Sequence, residues 1–281
     1  PMTYDPNGQF TWLITELDEA ERANQRVWLI AHIPSGDHDH FHDFSHYLDQ
    51  IINRYEATIA ALFFGHTHTD LFQISYSDYA HRTAETAKAV GYITPSLTPT
   101  SGPPSFRIYD IDPVTFGVLD YTVYIANLSD SSLSSGPGFS DGELEEDEDG
   151  PPRWTEYYSA KLAYGSLLSP PVSDPTAELT PVFWHNVTVA MEEEGDGDTG
   201  LFRAWWTRRT RGFEVPECDE DCMQKAICGI RGADAQFNCV EAKPGISITK
   251  RENGCDEGGV GMLMARLMGL SYRNRRRPDS M

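Results

Sequence analysis

Histidines stand where two apolar segments of the chain end. Residues 61–70 read ALFFGHTHTD, in which His66 and His68 follow an apolar run and a glycine. An earlier segment, VWLIAHIPSG at 27–36, carries His32. Imidazole is a preferred ligand of zinc, iron and manganese, and side chains at positions i and i+2 of an extended segment point to the same side. The pattern therefore predicts a metal site, whereas any one of these histidines alone is equally consistent with a core imidazole held by hydrogen bonds.

Hydrophobic periodicity predicts the elements that would bring the histidines together. The apolar runs at 27–36 and 61–65 are typical of short buried strands, with a helical pattern between them. Strands joined by a helix lie parallel, and ligands gather at the carboxyl ends of parallel strands. A helix is also predicted over 11–24, and strands in LFQISYS, RIYDID and LDYTVYIANL. The apolar face of the connecting helix consists of Phe44, Leu48, Ile51, Ile52, Tyr55 and Ile59.

A histidine-rich segment, GDHDHFHDFSH at 36–46, lies between the first strand and the connecting helix. It has two interpretations: a solvated loop, which tolerates polar runs, or the lining of a substrate mouth. The solvated loop is the simpler of the two. The histidines of this segment are His38, His40, His42 and His46.

The net charge restricts the class of partner. The 281 residues include 22 basic and 43 acidic side chains, which gives a net charge of −21. Binding to nucleic acid depends on clustered Lys and Arg, so this composition argues against such a partner. The acidic excess would be partly neutralised at low pH, which suits an acidic compartment. No apolar run reaches the roughly 18 residues that a membrane helix needs, and the amino terminus lacks a signal-peptide pattern.

The cysteines indicate an oxidising compartment. All five follow residue 217, and the spacing C-x3-C-x5-C-x10-C lacks the paired C-x2-C of common zinc sites. Disulfides are therefore favoured, with their pairing left open. Glycosylation sequons at Asn127 and Asn186 indicate the same environment, so we predict a secreted glycoprotein or one of a lysosome- or vacuole-like compartment. The cysteines are Cys218, Cys222, Cys228, Cys239 and Cys255.

Composition divides the chain into four ranges. Residues 1–128 contain the predicted strands and the histidines, and residues 129–152 form an acidic Ser/Gly/Pro linker. Residues 153–240 are expected to form a helical domain with disulfides, and residues 241–281 a poorly ordered tail. Aromatic residues of the third range are expected in its core rather than on a lipid-facing surface. They are Phe183, Trp184, Phe202, Trp205 and Trp206.

Several motifs together resemble a known family. AHIPSG followed by FFGHTHTD resembles the last two motifs of the calcineurin-like metallophosphoesterases. DPNGQFTWLITELDEAE, FRIYDID, YIANLS, YGS, FWHN and the C-x3-C-x5-C run are similar, in the same order, to the acid sphingomyelinases. This resemblance covers roughly residues 5–240. It implies an α/β fold: the C-terminal half of a metallophosphoesterase αββα sandwich, followed by a small disulfide-bonded helical domain.

The resemblance also implies residue roles. The family uses two divalent metal ions, expected to be zinc, to activate a water molecule and to hold the phosphate oxygens. His32 and His66 match ligands of one metal ion, and His68 matches a ligand of the other. The implied disulfides are Cys218–Cys222 and Cys228–Cys239.

The chain departs from the family pattern at the motifs that should precede AHIPSG. The earlier motifs D-x-H, G-D and G-N-H, which supply the other ligands and the general acid, are not found in it, so the general acid cannot be assigned. GDHDHFHD at 36–43 imitates parts of them but follows a motif that it should precede, and we interpret it as coincidence. We therefore expect part of a catalytic domain, inactive alone, whose parallel sheet exposes an apolar edge.

The function implied by the resemblance is that of a sphingomyelin phosphodiesterase, a hydrolase of lipid metabolism. It would release ceramide and phosphocholine and would touch a membrane surface transiently, without a transmembrane segment. The loop TPSLTPTSGPPSF differs from the tyrosine-bearing loop of related sphingomyelinases, which leaves the headgroup open. The alternatives are another calcineurin-like phosphoesterase, acting on polyphosphate, nucleotides or phosphomonoesters, and a non-catalytic secreted binding protein.

Overall fold

Helices and strands alternate up to residue 64, strands then follow one another, and helices predominate from residue 160 onward. The structure, a computed structural model, describes residues 5–126, 153–194 and 200–240. Its helices are α1 (Gln9–Arg22), α2 (His42–Arg54), α3 (Ala160–Ala163), α4 (Pro181–Glu194), α5 (Leu201–Arg209) and α6 (Glu220–Ile230). Its strands are β1 (Val27–Ile30), β2 (Ile59–Phe64), β3 (Leu71–Tyr76), β4 (Ala87–Ile93), β5 (Ser105–Ile111), β6 (Val118–Ala126) and β7 (Trp154–Ser159).

The strand–helix–strand unit predicted around the histidines is present. β1 and β2 pair in parallel, with Leu29 opposite Leu62, and α2 connects them. The connecting helix is shorter than its apolar pattern predicts. It ends at Arg54 because the chain turns there, and the amides of Thr58 and Ile59 both donate to the carbonyl of Tyr55. Ile59 is therefore the first residue of β2 and not part of the helix face.

Two sheets form the α/β fold. The first has the strand order β1-β2-β4-β3, in which β4 runs parallel to β2 and β3 runs antiparallel to β4. The second has the order β5-β6-β7 and is antiparallel, so the predicted pair RIYDID and LDYTVYIANL is a pair of neighbouring strands. β7 adds to β6 with Trp154 opposite Ala126. The expected mixed α/β class is confirmed.

The sequence predicts helices from Trp154 onward, and this is wrong at the start of the range, where the chain forms strand β7. Short strands such as WTEYYS carry little periodicity, and pairing with β6 stabilises this one. The division of the chain into 1–128 and 153–240 stays a prediction, and one hydrophobic cluster includes buried residues of both ranges. The predicted linker at 129–152 and tail at 241–281 lie outside the described residues, as do Asn127 and Cys255.

The aromatic side chains of the helical part lie in the core. Phe72 packs on Trp184 with ring centroids 4.3 Å apart, which joins β3 to α4. Burial of such rings is among the largest favourable contributions to a core. The core interpretation is confirmed, and a lipid-facing surface formed by these rings is excluded. The five residues, each 5% exposed or less, are Phe183, Trp184, Phe202, Trp205 and Trp206.

Two disulfides flank helix α6. Cys218 is bonded to Cys222 at its start, and Cys228 is bonded to Cys239 beyond its end. These are the pairings that the family resemblance implies. Among the described residues, no helix is both long and apolar enough to cross a membrane.

Strand β1 is the edge of the first sheet and carries exposed apolar side chains. Trp28 is 42% exposed and Ile30 is 76% exposed. A groove of about 1130 Å³ is lined mainly by residues of α1 and β1, and His32 also lines it. An apolar edge strand of this kind is a surface on which further polypeptide can pair.

Candidate metal site

His32 and His66 meet at the carboxyl ends of β1 and β2. Each lies two residues beyond its strand, and the ladder continues past the strand ends because the amide of Gly65 donates to the carbonyl of His32. Nδ1 of His66 lies 3.3 Å from Nε2 of His32, and the two rings are nearly perpendicular with centroids 5.1 Å apart. The parallel register thus brings together two imidazoles that are 34 residues apart in the chain.

The backbone after Gly65 adopts an unusual conformation. His66 and His68 have φ of 69° and 57°, the left-handed region that side chains other than glycine rarely occupy. Such conformations cost about 1–3 kcal/mol each and persist where the surrounding structure holds them, often at functional sites. The turn directs Nδ1 of His68 toward Oγ1 of Thr100, at 2.6 Å.

Two buried arginines, Arg107 and Arg211, stabilise the turn that carries His66 and His68. The carboxylate of Asp70 pairs with the guanidinium of Arg107, and both side chains are almost fully buried. Arg211, 1% exposed, donates to the carbonyl of His68 at 3.0 Å. Buried charged groups need ionic or hydrogen-bonding partners, so the Asp70–Arg107 pair and the hydrogen bonds of Arg211 fix the turn.

The histidine-rich segment also contributes to the site. Oδ2 of Asp39 lies 3.2 Å from Nε2 of His66, on the side of the ring away from His32. Asp37, His38 and Asp39 bring three potential ligand atoms within 4.8 Å of one another. No role of Asp39 follows from the sequence alone, because only the fold brings it next to a residue 27 positions further along the chain.

The other histidines of this segment have different surroundings. His38 is exposed and lies beside both aspartates. His40 is partly buried, and its burial lowers the pKa of the imidazole, which favours the neutral form. His42 begins α2, and Nδ1 of His46 lies 2.6 Å from Oδ2 of Asp234. The segment is therefore neither a uniformly solvated loop nor a single lining.

The loop that carries Asp39 is anchored to three other parts of the chain. The amide of Gly36 donates to the side chain of Gln73 on β3, and Asn238 donates to the carbonyl of Gly36. Ser45 on α2 donates to the carbonyl of Ser35. A Cβ atom on Gly36 would lie 1.9 Å from the carbonyl oxygen of Gly232, so only glycine fits here.

The donor set fits a divalent metal ion that prefers nitrogen ligands. Two nitrogens bound to one tetrahedral zinc at about 2.05 Å lie about 3.4 Å apart. The nitrogens of His32 and His66 that face each other are 3.3 Å apart. Exposure of the His32 ring leaves the pair accessible to solvent and to a ligand.

Known proteins resemble this chain over most of its length. No protein-family model matches it. Sphingomyelin phosphodiesterase 1 of Caenorhabditis elegans is 31% identical over 229 residues, which cover 81% of this chain and 35% of that relative. Sphingomyelin phosphodiesterase of Homo sapiens is 34% identical over 237 residues, which cover 82% of the chain and 32% of the relative. Acid sphingomyelinase-like phosphodiesterase 3b of Homo sapiens is 26% identical over 257 residues, 85% of the chain and 49% of the relative.

The chain corresponds to only part of each of these relatives. The chain spans about a third of the length of the two sphingomyelin phosphodiesterases and about half of the third relative. The three histidines belong to the part of the chain that carries the family motifs.

Proposed function

We propose that this chain, which belongs to the sphingomyelin phosphodiesterase family, supplies part of the metal site of an enzyme that hydrolyses sphingomyelin to ceramide and phosphocholine. The observation that carries the proposal is the contact between His32 and His66 at the carboxyl ends of two parallel strands. Ligands in open α/β sheets bind at this edge.

The chain's own residues would hold the metal ions and orient the substrate. His32 and His66 would bind one cation as neutral imidazoles, and His68 would be a ligand of the second cation. Bound divalent cations would supply Lewis-acid polarisation of the phosphate and a water of lowered pKa. Zinc is the proposed metal, because imidazole suits it and the spacing of the two nitrogens matches its ligand geometry.

The proposed location is a secreted or lysosome-like compartment. Two disulfides among the described residues support it, since disulfides persist in oxidising environments. Asn186 is exposed on α4, which leaves its side chain accessible for a glycan. The lipid substrate would bring the enzyme into transient contact with a membrane surface.

Hydrolysis by the gene product that contains these 281 residues should depend on His66. The change His66→Ala removes a proposed ligand, so release of phosphocholine from sphingomyelin should fall to the level of the chelator-treated wild type. His81→Ala is the matched control, because His81 is exposed and pairs only locally with Asp78. Phosphocholine and inorganic phosphate are measured separately at acidic pH with added zinc.

The outcomes separate the candidate functions. Loss of phosphocholine release in the His66 variant alone supports the proposal. Chelator-sensitive release of inorganic phosphate from phosphomonoesters, without phosphocholine release, would replace the substrate with that of another phosphoesterase. Absence of any hydrolysis by the complete gene product would favour a binding protein. The 281 residues alone are expected to release no phosphocholine, because the D-x-H and G-N-H motifs are not among them.

A further inference from the structure

The hydrogen-bonding capacity of His66 restricts where its proton lies. A neutral imidazole has one N–H donor and one lone-pair nitrogen, whereas an ionised carboxylate only accepts. Oδ2 of Asp39 faces Nε2 of His66 at 3.2 Å, so the hydrogen belongs on Nε2. The lone pair is then on Nδ1, which faces Nε2 of His32 at 3.3 Å. This is the tautomer that a metal ion between the two histidines requires.

The position of Asp39 is fixed by its loop. The amide of Asp39 donates to Oδ1 of Asp37 at 2.9 Å, and the amide of Asp37 donates to the carbonyl of Pro34 at 3.0 Å. The loop is further held by the contacts of Gly36 with β3 and with the segment beyond α6. An anchored stretch of backbone therefore presents the carboxylate to His66.

We propose that Asp39 is a positioning residue of the metal site. Its carboxylate accepts a hydrogen bond from Nε2–H of His66. The lone pair of Nδ1 is thereby directed toward the cation shared with His32. This inference rests on the proposed function, because it concerns the same cation. Carboxylates that hold the far nitrogen of a metal-binding histidine typically change metal affinity by about 10- to 100-fold when removed.

The test measures zinc binding by the 281-residue chain, with zinc alone as the probe. Isothermal titration near neutral pH should give an affinity about 10- to 100-fold weaker for Asp39→Ala than for wild type. Asp39→Asn keeps an oxygen that can accept from Nε2–H, so it should recover a large part of the affinity. Asp78→Ala is the matched control, because it removes a carboxylate from the exposed ring of His81.

A second readout reports the tautomer itself. Nitrogen-15 chemical shifts of the His66 ring, measured without metal, should show hydrogen on Nε2 in the wild type. In Asp39→Ala they should show a mixture of the two tautomers. If Asp39 acted on stability alone, Asp39→Ala would lower the unfolding temperature and would leave the hydrogen on Nε2 of His66.

The outcomes distinguish the positioning role of Asp39 from the assignment of the histidines as metal ligands. Unchanged affinity and unchanged tautomer in Asp39→Ala would overturn the positioning role while leaving the histidine ligands in place. Weaker binding with an unchanged tautomer would also overturn it, since Asp39 would then act by another route. If His66→Ala itself bound zinc like the wild type, the metal assignment of the proposed function would fail instead.

Discussion

At the scale of single residues, Asp49 has the carboxyl group whose pKa departs most from its ordinary value among the described residues. Asp49 on α2 is 4% exposed and accepts hydrogen bonds from Ser75 and Tyr79. Burial raises its pKa from 3.8 to about 6, and the nearby charge of Asp234 acts in the same direction. The two hydroxyl groups and His46 oppose the shift. The folded protein therefore keeps a proton here that the unfolded chain releases.

The sign of the pH dependence follows from this difference. Between pH 3.8 and about 6 the folded state binds more protons at Asp49, so stability falls as the pH rises through this window. The loss is about 3 kcal/mol and is complete above the folded-state pKa. Asp49→Asn cannot ionise, so urea unfolding should show a smaller decrease from acidic to neutral pH than in the wild type. An equal decrease in both proteins would contradict the assignment.

Residue types and spacing were enough to predict that His32 and His66 lie together, because strand patterns are local. The contact of Asp39 with His66 could not be predicted in this way. It depends on how a turn after β1 folds back over the end of β2, which no short-range pattern contains.

At the scale of elements, the segment beyond α6 supports the loop that carries Asp39. Gly232 packs against Gly36, and Asn238 donates to the carbonyl of Gly36 at 2.8 Å. Both partners lie within the loop closed by Cys228 and Cys239. The sequence predicts a helical domain over 153–240 but gives no sign of this close approach, because the approach joins residues about 200 positions apart in the chain.

Substitution of Gly36 tests this support. A Cβ atom would meet backbone, which cannot move aside as a flexible side chain can. We expect Gly36→Ala to destabilise the protein by about 1–3 kcal/mol and to weaken zinc binding, although Gly36 touches neither histidine. Thermal unfolding and zinc titration provide the measurements.

Gly229→Ala is the matched control, because a Cβ atom there would lie 3.7 Å from the nearest atom, an ordinary contact. Alanine is also favoured over glycine within a helix, by up to about 1 kcal/mol. If Gly36→Ala bound zinc as tightly as Gly229→Ala, the link between this segment and the metal site would be refuted.

At the scale of the whole molecule, the edge at β1 is an exposed apolar surface. The family resemblance led us to expect such an edge, and Trp28 and Ile30 form it together with the groove beside α1. The extent of the groove depends on the angle between α1 and β1, which the sequence pattern does not specify.

The 281-residue chain should therefore self-associate through this edge. Ile30→Lys places a charge on the strand and should lower the associated fraction in sedimentation velocity, with zinc affinity unchanged. Val114→Lys is the control, because Val114 is 82% exposed but lies outside the groove. Equal effects of the two changes would mean that association is nonspecific.

The disulfide between Cys228 and Cys239 has a consequence for how the protein would mature. It closes the segment whose Gly232 and Asn238 hold the Asp39 loop, so reduction would relax that segment and, through it, the histidine pair. The protein would then bind its metal ion only after Cys228 and Cys239 have formed their disulfide. A chain retained among cytosolic reductants would stay largely metal-free, and one that reached an oxidising lumen would acquire its cation there.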